Sequence, residues 1–203
     1  MKKYIIIITM LFMVIGCNAN KQIQLTHSDK KVELFFSDYG KGIKQVSISL
    51  KRKVVFKNPY FWFAKVKLNY FVDGEQIDDI LFLPMQYNEK GEWYIIGDKG
   101  EIKISPLGKR EAIYEVRNPV YDLKFTGIYK NLEQYISLSK HPIYKNEWTG
   151  KMEEDKGAFI YEESFSEFKR KNPELAEFLT KGDTIELEVL SPIKAKYRYD
   201  AQW

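Results

Sequence analysis

The strongest constraint in this sequence is an alternation of apolar and polar residues with period two. Val32, Leu34 and Phe36 alternate with Lys31, Glu33 and Phe35, and Val46, Ile48 and Leu50 with Gln45, Ser47 and Ser49. Val66, Leu68, Tyr70 and Val72 repeat the pattern, as do Ile185, Leu187 and Val189, and then Ile193, Ala195, Tyr197 and Tyr199. Successive strand residues point to opposite faces, so each run describes a strand with one buried face and one wet face. Asp73-Gly74 predicts a tight hairpin between 65–72 and 76–83, and Gly97-Asp98-Lys99-Gly100 a second one between 93–96 and 101–105. Further strands are expected at 111–116 and 121–128.

One segment changes period. Ser164-Phe165-Ser166-Glu167 has the form of a helix capping box. Asn172-Pro173 starts a second turn of helix, Leu175, Phe178 and Leu179 form its stripe, and Lys181-Gly182 closes it. Residues 164–181 therefore read as one kinked helix or two short ones. Residues 129–158 carry only a turn or two of helix around Leu132, Tyr135 and Ile136, then a polar loop. The fold expected is α+β and β-rich: an antiparallel β-sandwich or curved sheet with one helical segment near the C-terminus. The acidic outer face of 185–189 and the basic outer face of 193–199 are expected to pair.

The N-terminus bears on where the protein works. Lys2 and Lys3 precede a twelve-residue apolar stretch, Tyr4–Ile15. A helix of that length is roughly 18 Å long, short of the ~30 Å hydrocarbon core, so it reads as a secretory signal. It ends in Val14-Ile15-Gly16-Cys17, which resembles the lipobox of bacterial lipoproteins. The resemblance covers only residues 1–17. It implies cleavage before Cys17 and acylation of that thiol, with 1–16 a signal peptide, 17–22 a tether and 23–203 a single β-rich globular domain. The implied location is the bacterial cell envelope, lipid-anchored at the outer membrane or the periplasmic face of a membrane, with the bilayer as first partner. Cys17 is the only cysteine, so an acylated chain has no disulfide, thiol nucleophile or cysteine metal site. Losing Lys2 and Lys3 also takes the formal charge from +4 to +2. That is no concentrated basic footprint, so nucleic acid is not an expected partner.

Chemistry-bearing motifs are few. His27 and His141 are the only histidines. Gly40-Lys41-Gly42 lacks the third Gly of a dinucleotide loop and reads as a turn between strands, and Asp78-Asp79, Glu153-Glu154-Asp155 and Glu162-Glu163 read as solvated charge. No catalytic residue, metal site or cofactor is assigned. Aromatics are the richer resource: in Tyr60-Phe61-Trp62-Phe63, a strand would bury Phe61 and Phe63 and present Tyr60 and Trp62. Trp148 sits in a polar loop. Tyr60, Trp62 and Trp148 are the expected binding surface, and the expected role is non-enzymatic binding or assembly with a protein or glycan partner. Two alternatives remain: an envelope hydrolase using His141, and a small outer-membrane β-barrel suggested by the alternation running to Trp203.

Overall fold

The computed structural model describes residues 22–38, 43–77, 81–83, 85–87, 93–95, 101–146, 148–201 and 203. The signal peptide, Cys17 and the tether up to Lys21 lie outside the described residues, as do Gly40–Gly42, Asp78-Asp79 and the turn expected at 97–100.

The protein is a β-rich α+β fold of antiparallel sheets. The first sheet has strand order β12 (Ala158–Ser164), β1 (Gln24–Asp38), β2 (Ile43–Lys57), β9 (Lys109–Tyr121), β5 (Leu81–Leu83). The second runs β14 (Ala195–Asp200), β13 (Thr184–Ser191), β3 (Ala64–Val72), β4 (Glu75–Gln76), with β8 (Glu101–Ile104) also on β3. Their inward faces share one apolar core. Val32, Leu34 and Phe36 on β1, and Val46, Ile48 and Leu50 on β2, meet Val66 and Leu68 on β3 and Ile185, Leu187 and Val189 on β13. Among the described residues the two sheets enclose packed side chains between them.

The Asp73-Gly74 turn forms with both residues at positive φ, +49° and +86°, as a two-residue hairpin requires. Its second arm is only the two residues of β4; Leu81–Leu83 crosses to β9 in the other sheet. The hairpin expected between 93–96 and 101–105 is replaced as well. β7 (Trp93–Ile95) pairs with β6 (Met85–Tyr87), and β8 pairs with β3. The strand expected at 111–116 lies within the longer β9, which Asp122 ends at φ +49°; the one expected at 121–128 does not form, since 122–126 are irregular and Gly127–Tyr129 is a 3-10 turn.

The helical segment is two helices, α2 (Phe165–Lys171) and α3 (Pro173–Thr180), following the one-turn α1 (Glu133–Ile136). Ser164 caps α2, its Oγ accepting from Glu167 N at 3.3 Å. Asn172 is buried at the kink and donates to the Tyr135 hydroxyl at 2.7 Å. α3 buries Leu175, Ala176 and Leu179, while Phe178 is exposed. Leu175 and Leu179 are thus buried as expected, and Ala176 takes the inward place expected of Phe178. The charged outer faces pair as expected: Glu186 lies opposite Arg198 and Glu188 opposite Lys196, with Lys196 Nζ 3.0 Å from Glu186.

Candidate functional site

Three features of the surface and its underlayer carry polar or aromatic groups beyond those the core uses. The first is the turn between β2 and β3. Residues 60–62 form a bend, not a strand, so period two does not apply there. Tyr60, expected to be presented, is 4% exposed, while Phe61 and Phe63, expected inside, are 58% and 52% exposed. Trp62 is 43% exposed and stacks on Tyr60, with ring centroids 5.9 Å apart and planes 8° from parallel.

Fully buried Asn58 holds this turn. Its Oδ1 accepts from Tyr60 N at 3.0 Å, and its Nδ2 donates to the Trp62 carbonyl at 2.8 Å and the Ser105 carbonyl at 2.9 Å. Asn58 N donates to the Gly108 carbonyl and Leu107 N to the Tyr60 carbonyl, both at 2.9 Å. The β2–β3 and β8–β9 turns are thereby one unit, and exposed Leu107 sits in it. Lys57-Asn58-Pro59 thus leads from β2 into the turn. The similar triplet Arg117-Asn118-Pro119 continues β9 instead, beyond the residues that β5 covers, where the far side of the strand tolerates proline.

The second feature is an arm. The polar loop expected at 147–157 contains β11 (Met152–Glu154), which among the described residues pairs with β10 (Ile143–Lys145) alone. Trp148 at its tip is 98% exposed. Ile143, Tyr144 and Met152 along the arm are exposed too, as is Leu138 before it. Asn146 shapes the tip: its Oδ1 accepts from Trp148 N at 2.9 Å and Thr149 N at 3.1 Å, and its Nδ2 donates to Glu153 at 3.0 Å.

The third feature has a clear signal in the β2 alternation. Leu50, Arg52, Val54 and Phe56 share the inward face, and Arg52 is 3% exposed. Its Nη1 donates to the Ala201 carbonyl, and its guanidinium lies 5.9 Å from the centroid of the Trp203 ring. Trp203 packs edge-on against Tyr114 at 5.5 Å and donates from Nε1 to the Tyr70 hydroxyl at 2.7 Å. Tyr70 in turn donates to Asp183. Burial pushes Asp183 up to about 6, although the Tyr70 hydrogen bond offsets part of that. Burial also lowers His27 to about 4, helped by nearby Arg52 and Lys30. Outside this cluster lies a cleft of about 520 Å³, walled by Lys30, Lys169 and Trp203, with Asp29 at its rim.

The remaining candidates stay apart. His141 Nδ1 is 2.8 Å from the Ala158 carbonyl and its ring packs on Phe159. No side-chain hydroxyl or carboxylate bonds it among the described residues. No group of three or more His, Cys, Asp or Glu side chains suited to a metal occurs among the described residues. No helix is long and apolar enough to cross a membrane among them either. Comparison of the chain with protein-family models, curated proteins and solved structures gives no match.

Proposed function

We propose that this protein is a lipid-anchored, non-enzymatic binding or assembly protein of the bacterial cell envelope, and that the β10–β11 arm grips its protein or glycan partner. The lipobox-like Val14-Ile15-Gly16-Cys17 supports the anchor. The observation that carries the binding role is Trp148, 98% exposed at the tip of a hairpin that forms its own two-stranded sheet. Exposed apolar side chains gathered on one projecting element mark interaction surfaces. Burying a tryptophan of roughly 200 Å² at about 25 cal/mol per Å² stabilises a complex by up to ~5 kcal/mol before ordering costs. Tryptophan accordingly recurs among the few residues that dominate interface energy. It also stacks on sugar rings, so the arm suits either partner class.

The test is crosslinking and affinity capture from native membranes, with Trp148→Ala as the comparison. The expected result is a discrete protein or glycan species held by the wild type and lost from the variant. Equal capture by both, or no specific species with the wild type, contradicts the reading.

A further inference from the structure

The aromatic turn and the start of β1 lie at the same end of the domain. Gln24, the first residue of β1, pairs with Lys57, the last of β2, and the turn begins two residues later at Pro59. Gln22 and Pro59 line one shallow cleft of about 580 Å³. Six residues lie between Cys17 and Gln24, so seven Cα–Cα steps join them. Even fully extended they reach no more than ~24 Å. An acylated Cys17 therefore keeps this end of the sandwich close to the lipid that holds its chains. Resting on the lipid-anchor reading, we propose that Trp62, Phe63 and Leu107 form the face that the domain lays on the bilayer, in the headgroup region of the leaflet that holds Cys17.

The chemistry of the patch fits that occupant. Trp62 is 43% exposed, Phe63 52% and Leu107 55%, and the turns that carry them are locked together by Asn58 and the Leu107–Tyr60 backbone bond. Aromatic side chains favour the membrane–water interface, where an apolar body and a polar tip are both satisfied. Lys103 Nζ lies 4.2 Å from the centroid of the Phe63 ring. Lys57 and Lys109 face each other in register across β2 and β9 at this end. None of these three lysines has an ion-pair partner among the described residues. Lysines ringing an apolar patch are drawn to anionic headgroups. The acyl chains hold the protein; the patch sets which way it faces, leaving the arm for a partner.

The experiment uses the lipidated full-length protein reconstituted into vesicles of phosphatidylcholine and phosphatidylglycerol, some carrying a nitroxide near the headgroup. Tryptophan emission is expected to be quenched by the labelled lipid. Trp62→Phe, which keeps an aromatic ring, is expected to lose the lipid-quenched component, whereas Trp148→Phe keeps it. Equal quenching of wild type and Trp62→Phe overturns the proposal, and so does loss of quenching in Trp148→Phe alone. The intact mass of the same sample reports the anchor separately. An acylated protein with an unquenched Trp62 removes only the lipid-facing patch; an unacylated Cys17 removes the anchor reading and the proposal with it.

Discussion

The two aromatic loops use the same staple in different surroundings. Asn58 organises the Pro59–Phe63 turn and Asn146 organises the Trp148 tip, each by accepting from backbone N–H groups and donating from its amide. Asn58 is fully buried between two β-turns that belong to the sandwich. Asn146 sits half-buried on an arm whose base is closed by the Asp155–Pro142 backbone bond and which meets the first sheet at the Lys140–Ile160 bridge. A staple that water can replace is worth little; one that leaves buried carbonyls unsatisfied when lost is worth much more. The turn is thus a fixed platform and the arm a projecting lever, which matches the different occupants proposed for them.

The largest effect should come from the core beneath the turn. Phe56 is fully buried just ahead of Asn58, so Phe56→Ala is expected to cost about 3–5 kcal/mol in denaturant unfolding. A loss under about 1 kcal/mol would mean that the turn end of the sandwich is loosely packed. Next, Asn58→Ala is expected to cost ~1–3 kcal/mol, because the Trp62 and Ser105 carbonyls lose a donor that water cannot easily replace. Asn146→Ala should cost below ~1 kcal/mol on the same scale; equal costs for the two would break the contrast. Smallest of all, Trp148→Ala should change stability by no more than ~0.5 kcal/mol while abolishing capture of the partner.

The buried cluster between the sheets adds a pH signature. Asp183 has a folded value near 6, above its ordinary 3.8. Its contribution is fully present below pH 3.8 and is lost as pH rises through about 6. His27 runs the other way: its folded value is near 4 against an ordinary 6.5. Its contribution is present above pH 6.5 and is lost as pH falls through about 4. Thermal unfolding across pH 4 to 7 checks both signs. Relative to wild type, Asp183→Asn should gain stability as pH rises, and His27→Gln as pH falls. Parallel profiles for wild type and both variants would remove the cluster's role.

How far the sequence spoke depends on the length of each pattern. The long alternations on β1, β2, β3 and β13 were legible because one buried face leaves only one phase for each strand. The α2 cap and the Asn172-Pro173 kink were legible because caps have local chemistry. The Tyr60–Phe63 run failed because four adjacent aromatics have no phase; which of them face outward is set by Asn58, reaching to residues 104 and 105. The arm failed because three-residue strands are too short to show a period. The buried cluster was missed for another reason. Lys51-Arg52-Lys53 looks like a solvated run, yet Arg52 continues the inward phase of Leu50 and Val54, a signal that was present.

The lipid anchor is tested most directly by the intact mass and N-terminal peptide of the protein extracted from bacterial envelopes. The expected result is a chain that starts at Cys17 and carries the added mass of acyl chains on that residue. A free thiol at Cys17, or cleavage elsewhere, would contradict it.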